Sequence, residues 1–336
     1  MAKATQQLIG ESPAFHALMD KVSDAAVLDR PLLVMGERGT GKELIASRLH
    51  FLSPRWEQVF VQVNCAAYTD PLLDAALFGE IFPDGRTDIE GQFARAEGGT
   101  LFLDNIDAMS SRLQEKLLQT FEYGLIDPLG SPETQDVNVR VIAASTQNLP
   151  QAVSDGTFRA DLLEHLSFDV VHLPPLRTRH EDIIPLAQYF GRKIATRLGA
   201  ESFPSFTPEA VAQLQNHHWH GNVRELKAVI ERSTGQAWLT NEALDTPLSD
   251  VIFNPFHTPW EQTATPTPTE TVDATQTAED TPIDTTDFQE RLRLFERGLI
   301  DEALLTQKNH QGKAADYLGL TYHQFRGLLR KHGLKK

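Results

Sequence analysis

Four short apolar runs, Leu32 to Met35, Val59 to Val63, Thr100 to Leu103 and Val139 to Ala144, are each followed by sequence with helix-forming spacing. Strands alternating with helices in this way predict an α/β fold, a mostly parallel sheet with helices on both faces. The pattern changes after Pro174-Pro175-Leu176. From Ile183 to Trp238 the apolar spacing is helical throughout. Thr207-Pro208-Glu209 reads as an N-cap followed by proline at the first helical position, so a small helical domain is expected. From about Asn254 to Asp287 the chain is rich in Thr, Pro and acids, and Thr263 to Glu270 is nearly low-complexity. Such a segment buries too little apolar surface to fold and predicts a flexible tether. Phe288 to Thr306 has helical spacing again, and Lys313 to Lys331 predicts a helix, a tight turn at Gly319 and a second helix. The expected divisions are residues 1–175, 176–253, 254–287 and 288–336, with no long internal repeat.

The 336 residues carry a formal net charge of −15, which argues against a basic footprint spread over the whole chain. The charge is uneven, however. No Lys or Arg lies between Arg232 and Arg291, whereas beyond Glu302 the cations Lys308, Lys313, Arg326, Arg330, Lys331, Lys335 and Lys336 stand against Asp316 alone. A small basic module therefore follows a large acidic body. No run of eighteen or more apolar residues and no basic-then-apolar leader occur, so a cytoplasmic protein without a membrane span is expected. The single cysteine, Cys65, excludes an internal disulfide and a multi-cysteine metal site, and in Val61 to Ala67 it reads as a small buried thiol.

The first chemistry lies between the Leu32 to Met35 run and the helical pattern from Leu44 to Leu49, in Gly36-Glu37-Arg38-Gly39-Thr40-Gly41-Lys42-Glu43. A glycine-rich turn between strand and helix lets backbone N–H groups curl around an anion. The helix N-terminus adds partial positive charge, and the Lys42 ammonium reaches outer phosphates. About sixty residues on, Gly98-Gly99-Thr100-Leu101-Phe102-Leu103-Asp104-Asn105 ends an apolar strand in an acid. A carboxylate at that edge lands beside bound phosphates, which makes Asp104 the magnesium-ligand candidate. Alone, it reads better as a buried strand ending in a turn; the phosphate loop upstream reverses that preference.

Together with Val-Asn-Cys-Ala-Ala at 63–67, Leu-Phe-Gly at 77–79, Phe-Arg-Ala-Asp-Leu-Leu at 158–163, Leu-Pro-Pro-Leu-Arg at 173–177 and Gly-Asn-Val-Arg-Glu-Leu at 221–226, these motifs resemble a known family. It is that of the AAA+ activators of sigma-54 RNA polymerase, the bacterial enhancer-binding proteins, and the likeness covers essentially the whole chain. No receiver or sensor domain is expected ahead of the phosphate loop, and the terminal helix pair is similar to a Fis-type helix-turn-helix. The likeness is therefore to the phage-shock branch. The resemblance implies an AAA+ P-loop sheet, a helical lid over 176–253 and a DNA-binding unit over 288–336. It implies ATP and magnesium, with Gly36, Glu37, Gly39, Thr40, Gly41, Lys42, Glu43 and Arg224 on the nucleotide and Asp104 on the metal. It makes Asn64 a switch residue, Thr146 the first-sensor position, Arg224 the second sensor and Arg159 an arginine that acts on a neighbouring subunit. Such an arginine implies an oligomer, from dimer to hexameric ring; an ordinary ion pair with Asp161 or Glu164 is the other reading of Arg159. Implied partners are DNA, RNA polymerase with sigma-54, and a phage-shock-type regulatory protein. Trp56, in the loop Ser53 to Glu57, offers such a regulator a contact or else anchors the loop.

Four features, three single positions and one interval, depart from the resemblance. Asn105 replaces the glutamate that orients and deprotonates water, and losing a general base costs on the order of 10²–10⁴ in rate. Asp107 is a carboxylate near enough in sequence to substitute. The sigma-contacting loop is replaced by the shorter interval Glu80 to Gly91, where Phe82 stands beside Pro83, Asp84, Asp88 and Glu90. His165 stands where a second arginine is implied, and imidazole does not replace a permanently charged guanidinium fork. Thr146 puts a hydroxyl where the family has an asparagine. Together they lead to the expectation of an ATP-binding and DNA-binding regulator with slow hydrolysis and reduced sigma-54 coupling. Two rivals are a full ATPase motor and a regulator acting through mixed oligomers with an intact homologue.

In the terminal unit Tyr322 to Lys331 is the recognition-helix candidate. Thr321, Tyr322, His323 and Gln324 would reach base edges or phosphates, and Arg326, Arg330 and Lys331 would face the DNA backbone. Ala314, Ala315, Leu318, Leu320, Phe325 and Leu328 would form its apolar seam, and Phe288 to Leu305 would pair two copies.

Overall fold

The computed structural model describes residues 8–81, 87–241, 244–256, 296–300, 303–304, 307 and 310–332. They fall into two compact units, one within Met1–His257 and one within Thr258–Lys336.

In chain order the first unit contains α1 (Pro13–Ala26), β1 (Leu32–Met35), α2 (Lys42–Phe51), β2 (Phe60–Asn64), α3 (Asp70–Phe78), β3 (Glu80–Ile81), β4 (Thr87–Ile89), α4 (Gln92–Arg95) and β5 (Thr100–Asp104). There follow α5 (Ser111–Tyr123), β6 (Leu125–Ile126), β7 (Gln135–Asp136), β8 (Arg140–Ser145), α6 (Leu149–Ser154), α7 (Ala160–Leu166), β9 (Val170–His172), α8 (His180–Leu198), α9 (Pro208–Asn216) and α10 (Asn222–Asn241). Five strands make one parallel sheet in the order β2-β5-β8-β1-β9. Alternate residues of each strand supply opposite faces. Leu33, Leu101, Leu103, Val141 and Ala143 enter a core shared with α3, α5 and α7. Leu32, Val34, Phe102, Ile142 and Ala144 enter a second core with α1 and α2. Every residue of β8 is buried, as expected of a strand covered on both faces.

The expected strands are all present, two of them shifted by one residue at both ends and one extended by a residue. Strand β9 was not expected, because three residues between Asp169 and Pro174 carry too short a signal for pattern reading. The interval from Glu80 to Gly91 contains the antiparallel pair β3 and β4; its tip, residues 82–86 with Phe82, Pro83 and Asp84, lies outside the described residues, as do the side chains of Thr87 and Asp88.

Helices α8, α9 and α10 enclose a third core around Trp219, Phe190, Phe206, Leu226 and Ile230. Thr207 caps α9 through its side chain, which accepts from Ala210 N at 3.3 Å, with Pro208 following it. Backbone pairing here is confined, among the described residues, to the bridge between Phe206 and Leu248.

The second unit pairs the helices Gln311–Tyr317 and Tyr322–Lys331. Its core contains Ala314, Ala315, Phe325 and Leu329, joined by Ile300 and Ala303 from the preceding helical residues. Of the expected pairing helix only residues 296–300 and 303–304 are described, and residues 257–295, with nearly all of the expected tether, lie outside the description.

Candidate functional site

The strand-to-helix turn after β1 is shaped for a phosphate. Gly41 caps α2 with φ 104°, and Gly39 has φ 81°, both in the left-handed region that glycine tolerates. A Cβ on Gly39 would sit 2.2 Å from Gly221 O and 3.0 Å from Arg224 Cβ, so the loop lies directly against the start of α10. Lys42 is buried and donates to Gly36 O at 2.9 Å and Glu37 O at 3.3 Å, holding its ammonium over the loop. Burial pushes its pKa below the ordinary value, Asp104 and Asp107 pull it up, and Arg224 and Arg38 push it down. Thr40 Oγ1 donates to Glu37 O at 2.8 Å.

Glu37 points away from the loop. Arg177 donates to it through both terminal nitrogens, one at 2.7 Å to Oε2, and Asn222 Nδ2 donates to the same oxygen at 3.1 Å. The Arg177 hydrogen bond and then that of Asn222 hold the Glu37 carboxyl down at about 2. Asn222 also donates to Arg38 O at 3.0 Å and accepts from Leu176 N at 2.7 Å. The buried Asn222 therefore ties the phosphate loop to the lid with every side-chain polar atom in use.

The cleft beside the loop is a cavity of about 260 Å³. Gly39, Thr40, Gly41, Lys42, Glu43, Asp104 and Arg224 line it, so seven expected residues from three elements meet at one place. Gly36 lies behind the loop, where a Cβ would meet Leu173 Cβ at 2.9 Å. Sequence reasoning missed Lys227, one helical turn after Arg224, although spacing by three on one helix was the available signal. It also missed the far wall, where Leu8, Ile9 and Phe15 face Leu186, Phe190 and Arg179. Nothing local marks those residues; only the fold brings residues 8–15 to α8. A nucleotide fits this donor set: cations and backbone N–H groups at one end, apolar walls at the other, and a carboxylate at the strand edge.

Asp104 and Asn64 are register partners on β5 and β2. Asn105 adopts φ 55°, ψ 51°, and its Nδ2 donates to Asn64 Oδ1 at 2.9 Å, where Ala66 N also donates at 3.1 Å. The expected switch and base positions thus form an amide pair with no titratable group. Asp107 lies in the next turn, where Ser145 Oγ donates to its Oδ1 at 2.5 Å. Ser145, buried at the end of β8, also accepts from Gln147 N at 3.0 Å. Its neighbour Thr146 is exposed and lines a separate hollow with Gly36, Glu37 and Gln147. Cys65 is buried, and burial first, then Asp104, pushes its thiol up to about 12.

Arg159 precedes α7 and pairs with Asp161, donating through Nη2 at 2.7 Å and Nε at 3.1 Å, with Glu115 at 3.7 Å. The Asp161 hydrogen bond raises its pKa. His165 Nδ1 lies 3.0 Å from Asp161 O. Trp56 is 56% exposed.

In the helix pair, Thr321 and Gln324 form a capping box: Thr321 Oγ1 accepts from Gln324 N at 3.4 Å, and Thr321 N donates to Gln324 Oε1 at 3.0 Å. Tyr322, His323, Arg326 and Arg330 are exposed on the same helix. Lys331 donates to Glu296 Oε2 at 2.6 Å, and His332 Nε2 lies 2.9 Å from the same oxygen. Lys308, Lys335 and Lys336 lie outside the described residues.

Comparison with known proteins covers the whole chain. The sigma-54 interaction domain family matches residues 8–172, the AAA+ ATPase lid domain residues 177–246, and the bacterial regulatory protein Fis family residues 291–332. The Psp operon transcriptional activator of Escherichia coli (strain K12) is 44% identical over 335 residues, covering 99% of each chain. The anaerobic nitric oxide reductase transcription regulator NorR of Vibrio vulnificus (strain YJ016) is 35% identical over 98% of this chain, which spans 64% of that protein. Among solved structures, NtrX from Brucella abortus in complex with ADP superposes with a TM-score of 0.68 at 28% identity, covering 98% of this chain and 70% of that one. The same protein in complex with ATP gives 0.68 at 27%, covering 97% and 70%.

Proposed function

The chain belongs to the sigma-54-dependent transcriptional activators, and from that premise we propose that it is a regulator that holds ATP well and hydrolyses it slowly. The observation that carries this reading is the hydrogen bond from Asn105 Nδ2 to Asn64 Oδ1. An amide at residue 105 orients water by hydrogen bonding but accepts no proton, so deprotonation lacks its usual partner there. Lys42, Arg224 and the backbone from Gly39 to Glu43 would hold the phosphates, and Asp104 would hold magnesium, which supplies charge neutralisation to the transferring phosphoryl group. Arg159 would reach a neighbouring subunit in an oligomer of two to six copies after leaving Asp161; His165 brings no permanent charge to that contact.

Coupling to sigma-54 RNA polymerase is reduced in this reading, because the interval from Glu80 to Gly91 is short and acidic. Tyr322, His323, Arg326 and Arg330 would meet DNA, with Thr321 and Gln324 fixing the helix start. The cytoplasm is the proposed location; among the described residues no helix is long and apolar enough to cross a membrane. A phage-shock-type regulatory protein is a proposed partner on the strength of the relationship to the Psp operon activator.

A working motor is a second reading, favoured by Asp107, whose charge reaches Lys42 and whose carboxylate sits on Ser145 at the end of the neighbouring strand. Mixed oligomers with an intact homologue would supply the missing chemistry in a third. Measuring ATP affinity and phosphate release on one preparation separates the first two. Tight binding with turnover about a hundredfold below an intact relative is expected; turnover equal to that relative, with open-complex formation, would overturn the slow-hydrolysis reading.

A further inference from the structure

The apolar end of the nucleotide cleft contains one charged residue whose donors are unspent. Arg179, just before α8, is 4% exposed and lines the cleft beside Leu8, Ile9 and Phe15. Its Nε is buried without an acceptor, and among the described residues its Nη1 has only a long ion pair. The nearest anion, Asp182 Oδ2, is 3.7 Å away. Asp182 is itself engaged: it accepts from Glu11 N at 2.6 Å, Ser12 N at 2.7 Å and Ser12 Oγ at 2.8 Å. The guanidinium carbon lies 5.8 Å from the centroid of the Phe15 ring, which helps hold the group in place.

A desolvated guanidinium with donors left short of acceptors is costly, and the cost falls when an acceptor enters the cleft. Asp182 already offsets its charge, and the surrounding walls are apolar, so a neutral acceptor on a flat ring suits the place better than a second carboxylate. The phosphates are drawn to Lys42 and Arg224 at the other end. We propose that Arg179 reads the base of the bound nucleotide by donating a hydrogen bond to a purine ring nitrogen. This rests on the nucleotide-binding reading and adds a residue that contacts the base.

The test is displacement of a fluorescent ADP from the full-length protein by ATP and by its 1-deaza, 3-deaza and 7-deaza analogues, each lacking one ring acceptor. One analogue is expected to bind the wild type roughly 10-fold to 100-fold more weakly than ATP. Arg179→Met should bind ATP more weakly by about the same factor and treat that analogue and ATP alike. Wild-type affinities within about twofold for all four compounds would overturn the inference, and this arm needs no variant to fold. An equal loss by Arg179→Met for ATP and every analogue would also overturn it, by showing that the arginine only supports the lid. If ATP itself fails to bind, the nucleotide-binding reading falls and takes this inference with it; ATP binding without an analogue effect removes the inference alone.

Discussion

The phosphate loop and the edge beside Asp104 contrast in how they are made. The end that holds phosphate is built from backbone: the turn over Gly39 and Gly41, the start of α2, and Lys42 folded onto the loop. The rim that would face the attacking water in the proposed function is built from side-chain identity, and there Asn105 pairs with Asn64 while Thr146 is exposed. A backbone device survives substitution at its rim, because N–H groups and a helix terminus do not depend on neighbouring side chains. Proton transfer has no such reserve, since an amide in place of a carboxylate removes the accepting group altogether. Under the proposed function the contrast makes binding and turnover separable in this fold.

The largest effect should come from the holding end. Lys42→Ala removes the buried ammonium that faces Asp104, and ATP affinity should fall by about 100-fold or more in calorimetry. Retained affinity would show that the backbone suffices alone. Next comes the rim. Asn105→Glu should raise phosphate release by about 100-fold without tightening ATP binding. Asp107→Asn in the otherwise unchanged chain sharpens the same point: if residual turnover falls about tenfold, Asp107 carries part of the proton transfer; if it holds, Asp107 only anchors Ser145.

The holding end was legible because its signals are local. Glycines, a lysine and a flanking strand and helix within a dozen residues specify one geometry, and Asp104 follows from strand polarity. The chemistry of the rim could be read as substitutions but not as contacts. That Asn105 would take a left-handed backbone and donate to Asn64 depends on the pairing of β2 with β5. The base-side wall was illegible, since Leu8, Ile9 and Phe15 meet Arg179 across more than 160 positions of sequence, held by Asp182 on Ser12. In the second unit the helices and seam were readable from spacing, whereas the sequestering of Lys331 by Glu296 was not, because its partner lies 35 positions away.

That ion pair allows a smaller test of whether holding is independent of turnover. Arg330 is exposed, so Arg330→Ala should reduce the salt dependence of DNA binding by about one phosphate contact. Lys331→Ala should change it less, because Glu296 already offsets that charge, and Glu296→Gln should increase it. Asn105→Glu should leave the slope unchanged in the same filter or anisotropy assay; a shift would couple the rim to DNA and break the separation.

The smallest expected effect lies at Glu37, which joins the phosphate loop to the lid without lining the cleft. Its carboxyl is held at about 2 by Arg177 and Asn222, below the ordinary 4.5. A depressed carboxylate stabilises the fold in full above 4.5, and that contribution is lost as pH falls from 4.5 toward 2. The side chain is 42% exposed, so solvent screening keeps the pair's contribution small. Glu37→Gln mimics the protonated group at every pH. It should lower Tm by at most about 2–4 °C at neutral pH, and the difference from the wild type should shrink below pH 4.5. ATP affinity should change only a few-fold, since Lys42 and the loop backbone remain. A loss as deep as that of Lys42→Ala would place the Glu37 latch inside the holding end and make the lid, not the loop alone, the element that retains phosphate.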